Sequence, residues 1–377
     1  MEGPRACKKE EFKDAINLIN QVFRTSQGHN PTMEEEFPLL LSEENLENMR
    51  VIVEDGKVVS IVNFYITTIL IEGIPIKAAS IGAVCTHEDY RGKGYSSLLL
   101  DDAEKEMRKK GVDVILVSGD RSLYLRKGYC KAGWAVRFDV YPEELEEDIE
   151  LVEFENKYLI EVAKMYNKQP TRYYRSLFEF KNLLKGATTP WGNFTYKTYL
   201  IKKGDLLKGY VVLRIINDNP RKGYVIEYSG DKRIIYESLK KMAAIYSLEY
   251  VRVPCTFNDD MVEVLKEKGV SYEEINLLGT VKILNFQQLM EKLKPYFLQY
   301  VEKDIIENLR FSEKENNYAF EIKNEILKID DVVKLTKLVF GDKGFGMEVD
   351  DISPILKEFI STVFPLPFVW PGNLNFQ

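Results

Sequence analysis

The sequence predicts a mixed α+β protein in which one α/β unit occurs twice in tandem and a smaller α+β unit follows. Three observations carry this expectation. The chain has 377 residues, enough for two or three cores of ordinary domain size rather than one. A grammar of strand-like and helix-like segments in the first part recurs further on, as a degenerate internal repeat of about 130 residues. Beyond about residue 285 that grammar stops.

In the first copy, residues 50–86 are apolar, β-branched segments punctuated by Asp55-Gly56 and Gly73-Ile74-Pro75, which predicts a three-strand meander with short turns. Leu98, Leu99, Ala103 and Met107 then recur at helical spacing, and Gly111 supplies a stop. A buried strand over 113–118, a short helix around RSLYLRK, a break at Gly128 and a strand from Trp134 to Val140 complete the copy. The second copy reads as a hairpin turning at Lys203-Gly204-Asp205, a third strand GYVIEYSG and a helix carrying Ile234, Ile235, Leu239 and Met242. The strand LEYVRVP, a helix ending at Gly269 and a closing strand TVKILNF follow. The last unit reads as one long amphipathic helix, FQQLMEKLKPYFLQYVEKDIIEN, then strands over YAFEIKNEILKI and two helices. Its aromatic, proline-rich end, FPLPFVWPGNLNFQ, is unlike a solvated tail and is expected to dock. The expected units are residues 1–150, 151–287 and 288–377.

Composition narrows the function classes. With 45% hydrophobic and 29% charged residues and no apolar run of the roughly 18 residues a bilayer requires, the expectation is a soluble cytoplasmic protein that does not engage a membrane. A net charge of −7 argues against sequence-independent nucleic-acid binding and suits a cationic small substrate. Cys7, Cys85, Cys130 and Cys255 are scattered, and His29 and His87 are the only imidazoles, so neither a disulfide framework nor a metal site is expected.

The chemistry concentrates in VCTHEDYRGKGYSS, residues 84–97. A strand, a glycine-containing loop and a helix start together form an anion site, because the first amides of a helix are unpaired and sit at its positive end. Gly92 and Gly94 permit close approach of a phosphate, and Arg91 and Lys93 add charge. The spacing is neither that of a P-loop nor that of a dinucleotide fold. The second copy has only SGDKR at the matching place, which predicts a retained fold and a lost ligand.

This segment resembles the coenzyme A loop of the GCN5-related N-acetyltransferase (GNAT) family, and SLYLRKGY at 122–129 looks like that family's Y-x-x-x-G-F/Y segment. The resemblance implies tandem acyl-CoA N-acyltransferase folds and acetyl-CoA as cosubstrate. The loop Arg91, Gly92, Lys93, Gly94, Tyr95 and Ser96 would hold the pyrophosphate, and Val84, Cys85 and Thr86 would pair with the pantetheine arm. Ser96 departs from the usual Gly or Ala, and would either crowd the phosphate or donate its hydroxyl to it. The whole chain is similar to the Eis-like acetyltransferases of mycobacteria, with a sterol-carrier-protein-like (SCP2-like) third unit. That likeness implies Tyr124 as general acid and the terminal carboxylate, here of Gln377, as general base.

The implied reaction is direct acetyl transfer to a primary amine, on a polyamine-like or aminoglycoside-like molecule or on a lysine or peptide terminus. A non-catalytic acyl-CoA-binding module and a longer-chain N-acyltransferase stand as alternatives, and assembly into a homo-oligomer is left open. Asp120 is expected to cap the helix holding Tyr124. Cys85 and Cys130 read as small buried hydrophobes rather than nucleophiles.

Overall fold

The computed structural model describes residues 1–146, 148–342 and 352–376. Strand β1 (Glu2–Ala6) and helices α1 (Phe12–Phe23) and α2 (Met33–Glu36) lead into β2 (Met49–Glu54), β3 (Lys57–Ile71) and β4 (Ile74–Thr86). The turns of this meander are tight because Asp55-Gly56 and Glu72-Gly73 both adopt positive φ, the geometry that matches the twist of paired strands. Next come α3 (Tyr95–Lys109), β5 (Val114–Val117), α4 (Ser122–Leu125) and β6 (Trp134–Val140).

The second run comprises β7 (Glu150–Glu153), α5 (Leu159–Tyr166), β8 (Arg172–Tyr174), α6 (Leu177–Gly186), β9 (Phe194–Lys203), β10 (Leu206–Ile216) and β11 (Lys222–Gly230). It continues through α7 (Lys232–Ile245), β12 (Val251–Thr256), α8 (Met261–Glu267), β13 (Tyr272–Asn276) and β14 (Thr280–Ile283). The last part holds α9 (Phe286–Phe297), α10 (Lys303–Asn308), β15 (Leu309–Lys314), β16 (Asn317–Ile322), β17 (Glu325–Ile329), α11 (Val332–Phe340) and α12 (Pro354–Val363). The result is a mixed α+β fold.

Two seven-stranded sheets share a layout and exchange a strand. Sheet one runs β1-β2-β3-β4-β5-β14, with β8 pairing on β3; sheet two runs β13-β6-β12-β11-β10-β9-β7. Within each, one parallel pair, β4–β5 or β11–β12, interrupts antiparallel pairing. The sequence reading puts Trp134–Val140 in the first copy and TVKILNF at the close of the second. The structure corrects both: β6 lies between β12 and β13, while β14 pairs with β5. An apolar strand pattern specifies burial but not which of two like sheets is joined, so cutting the chain by residue number separates strands that share a sheet.

Other details differ from expectation. Helix α3 buries Leu99, Leu100, Ala103 and Met107 against Ile52, Val62 and Phe64, and leaves Leu98 exposed. The single long helix expected after residue 285 is broken between α9 and α10, just past Pro295. Helix α9, sheet three (β15-β16-β17) and the helices after it pack Phe286, Phe297, Phe320 and Phe359 into one core with Ile69, Ile76, Val114 and Val281 of sheet one. Each such side chain contributes about 1.5–3 kcal/mol on burial. The tail beyond α12 buries Leu366, Phe368, Val369 and Leu374. Asn375 Oδ1 accepts from Arg175 Nε at 2.6 Å, and Arg175 forks onto Glu227 at 2.9 and 2.7 Å.

Candidate active site

The site begins where β4 leaves β5. Their parallel pairing covers only Ala78–Ile81 against Val114–Val117. Beyond it β4 carries a bulge at Ala83 (φ +48°), and Asn63 Nδ2 donates to the Ala83 carbonyl at 3.1 Å to hold it. Such a bulge re-aims a strand. The His87 amide donates to Val59 of β3 at 2.8 Å, so by strand alternation the Thr86 amide turns to the unpaired side. Among the described residues no strand pairs with the β5-facing edge over Val84–Thr86.

The loop after it delivers α3 to this edge. Gly92 and Gly94 have φ of +81° and +79°, and a Cβ on either would meet nothing within 4 Å. Left-handed backbone explains the glycines, and the open space means the loop's outer face is bare. Gly94 is the N-cap and offers no side chain; the first amides bonded to it are those of Ser97 and Leu98, at 3.0 and 3.1 Å. Among the described residues the amides of Tyr95 and Ser96 therefore have no backbone partner, at the positive end of a fifteen-residue helix.

Ser96 does not crowd this opening. Its hydroxyl lies 2.8 Å from Thr86 Oγ1, which lies 2.7 Å from Ser60 Oγ, a hydroxyl chain tying helix to strand. The Tyr95 ring is buried and its phenol is held by Glu54, which leaves only its backbone for the cleft. Arg91 Nε donates to the Thr86 carbonyl at 3.4 Å, and Lys93 Nζ rests 4.6 Å from the Tyr90 ring centroid. Burial pushes the Cys85 thiol up to about 12, which removes it as a nucleophile.

Val84, Cys85, Thr86, Arg91, Gly92 and the Gly94–Ser97 turn line an open cleft of about 660 Å3 whose far wall is α4, and Lys93 is not among the lining residues. Tyr124 lies on that wall, 5% exposed, its ring edge-on to Tyr129 with centroids 5.9 Å apart. Among the described residues nothing hydrogen-bonds its hydroxyl. Burial raises the phenol above its ordinary value, opposed by the nearby Arg121 cation. Asp120 does not cap α4: Arg121 is the N-cap, and Asp120 pairs with Lys131 at 2.9 Å. Gln377 lies outside the described residues. Two cleft cations were not singled out from sequence, Arg121 and Arg126, although they bracket the SLYL segment.

Residues 4–132 match the family model described as acetyltransferase (GNAT) domain. This stretch is similar to GNAT acetyltransferase domains. Solved structures similar over most of the chain agree with the fold. A GCN5-related N-acetyltransferase from Anabaena variabilis is 14% identical, covers 97% of this chain and 98% of its own, and has a TM-score of 0.65. Eis1 from Mycobacterium abscessus is 14% identical, with 90% of each chain covered and a TM-score of 0.59. A conserved protein from Enterococcus faecalis described as a probable N-acyltransferase is 18% identical over 76% of this chain and 74% of its own, with a TM-score of 0.57. Identity this low carries the fold alone. No curated protein matches this sequence. The GNAT domain supports acyltransferase chemistry with an acyl-CoA donor, and the cleft suits such a donor: bare glycine backbone and unpaired amides for a diphosphate, an open strand edge for an amide-bearing arm.

Proposed function

We propose that the chain is an acetyl-CoA-dependent N-acetyltransferase acting on a primary amine, either a polyamine-like or aminoglycoside-like molecule or a lysine or peptide amine. The supporting observation is one cleft that joins an unpaired strand edge, an uncapped helix start and a phenol whose hydroxyl has no hydrogen-bond partner among the described residues. The cosubstrate supplies an electrophilic thioester carbonyl and a thiolate leaving group. In this reading the amides of the Gly94–Ser96 turn, with Arg91 and Lys93, take the diphosphate, and the Val84–Thr86 edge aligns the arm. Tyr124 Oη then donates its proton to the departing sulfur, and burial keeps that proton in place at neutral pH. The amine's own proton leaves to a base, assigned by resemblance to the Gln377 carboxylate.

The proposal takes residues 1–150 as the catalytic unit, 151–287 as a degenerate second copy and 288–377 as an SCP2-like unit. Among the described residues no helix is long and apolar enough to cross a membrane. Four free, buried cysteines suit the reducing cytoplasm we assign. Calorimetric titration with acetyl-CoA tests the reading: the double variant Arg91→Glu, Lys93→Glu should weaken association by at least roughly 100-fold, since two charge-assisted contacts become repulsive. Unchanged affinity in that variant, or no association by the unaltered protein, would refute it.

A further inference from the structure

The phenol proposed as general acid rides on α4, a helix of four residues. One helical turn is marginal by itself, so its orientation is set by what packs around it. Three successive residues that hold it come from outside the first copy. Strand β14, which follows α8 and β13 in the chain, runs antiparallel along β5, from Thr280 opposite Val117 to Ile283 opposite Val114. Gly279 makes that approach possible: its φ is +81°, and a Cβ there would stand 2.0 Å from the Val117 carbonyl oxygen.

Each residue of the run Thr280-Val281-Lys282 grips a different point of the segment 119–130. Thr280, wholly buried, donates its hydroxyl to the Gly119 carbonyl at 2.9 Å. Gly119 lies against the Tyr124 ring, whose Cε2 is 3.6 Å from where a Cβ would stand. Val281 exchanges backbone bonds with Cys130, donating at 2.8 Å and accepting at 3.0 Å. Lys282 Nζ sits 5.1 Å from the centroid of the Tyr129 ring and donates to Glu104 of α3 at 2.7 Å. Tyr129 is the buried ring that Tyr124 meets edge-on. Burial, and next the Glu104 carboxylate that its phenol meets, hold Tyr129 protonated, well above the ordinary phenol range. The last part of the chain adds a stop: Val332, first residue of α11, would lie 2.5 Å from a Cβ on Gly128.

We propose that β14 is a positioning strand for the active site: Thr280 and Lys282, supplied by the second half, set where the Tyr124 phenol points. The inference rests on Tyr124 being the general acid. Neither residue lines the cleft, so both act through Tyr124 rather than on the substrate. A phenol that must meet a departing sulfur loses rate steeply when misplaced, by up to about 100-fold for a shift of about 1 Å. The second copy thereby has a task in acyl transfer that requires no second coenzyme.

The test labels the full chain with fluorine at Tyr124 alone, as 3-fluorotyrosine, and reads its resonance, which requires no acceptor. Thr280→Val and Lys282→Met should each shift or broaden the signal, and Thr280→Ser, which keeps the hydroxyl, should restore it. Lys292→Met removes the 2.6 Å bond to Asp113 at the other end of β5 and should leave the signal in place, which separates positioning from lost stability. Kinetics with acetyl-CoA and spermidine give the second readout. Lys282→Met should lower kcat about tenfold with acetyl-CoA affinity unchanged, and should lower it no further in the Tyr124→Phe background. An unmoved resonance in either folded variant, or the same tenfold loss in the Tyr124→Phe background, would overturn the proposal and leave the role of Tyr124 standing. Full kcat in Tyr124→Phe would instead sink the general-acid reading and this inference with it. Unfolding midpoints verify each variant, and should Lys282→Met fail to fold, the contrast of Thr280→Val with Thr280→Ser decides.

Discussion

The two sheets set equivalent helices at equivalent places, and the starts of those helices differ in one respect. Helix α3 begins at Gly94 with no side-chain cap and open space around it. Helix α7 begins at Asp231, whose carboxylate accepts from the amides of Arg233 and Ile234 at 3.1 and 3.3 Å. The parallel pairs splay in both, since β11 meets β12 only at Gly223 and Tyr224. In the second cleft Lys232 is neutralised by Asp259 at 2.9 Å, and the Tyr228 phenol donates to the same carboxylate at 2.7 Å. What separates a candidate ligand site from a structural copy is thus not the fold but which groups are left unsatisfied: the second half answers its helix with its own anion, and the first leaves that place vacant of side chains.

The strongest way to break the contrast is at the two phenols. Tyr124→Phe should lower kcat by about 10² to 10⁴ with acetyl-CoA affinity retained, whereas Tyr228→Phe should leave turnover unchanged. The sign of the pH dependence follows from burial: a raised phenol pKa keeps the acid protonated further into alkali, so Tyr124 predicts no alkaline loss of kcat below the ordinary phenol value of about 10. An alkaline limb well below that value, persisting in Tyr124→Phe, would assign it to another group and remove Tyr124 from the role.

Two glycines before the two helices sharpen it next. Gly230 has φ +127°, and a Cβ there would lie 2.2 Å from the Lys208 carbonyl oxygen, so Gly230→Ala should cost about 3 kcal/mol of stability or more in urea unfolding. Gly94→Ala meets no protein atom and should cost only the left-handed strain, about 1–2 kcal/mol. Its larger effect should be on acetyl-CoA, weakened roughly tenfold as a methyl group enters the phosphate's place. If Gly230→Ala instead altered cofactor affinity and Gly94→Ala did not, the two roles would be reversed.

How far sequence reaches is visible in the same residues. The meander was legible because Asp55-Gly56 and the Gly73 of Gly73-Ile74-Pro75 sit where positive φ is needed, and the loop because glycines, cations and a helix start coincide. The exchange of β6 and β14 was not, since both strands are apolar on schedule and nothing local encodes the partner. Arg121 and Arg126 escaped notice because they enter the cleft only through the placement of a four-residue helix. The pairing of Arg252 with Asp139 has no sequence signal at all; it depends on Asp139 arriving by way of the exchanged strand. The Ser96 hydroxyl was one of two open readings, and its tie to Thr86 depends on the packing of α3 against β4.

The smallest expected effect tests whether the cap alone makes the difference. Removing the carboxylate with Asp231→Ala should destabilise the protein by about 1 kcal/mol, the usual loss when an N-cap side chain is deleted, measured by the shift in urea midpoint at constant slope. It should not create a second coenzyme site. The amides of α7 would be freed, but Lys232 stays bound to Asp259, and Gly230, fixed by its contact with Lys208, cannot yield as the Gly92–Gly94 loop can. Calorimetry of this variant with acetyl-CoA should therefore keep the stoichiometry of the unaltered chain. A rise by one equivalent would mean that a single carboxylate is the whole distance between the two halves, and that the cations and the glycine loop of the first are secondary to an uncapped helix.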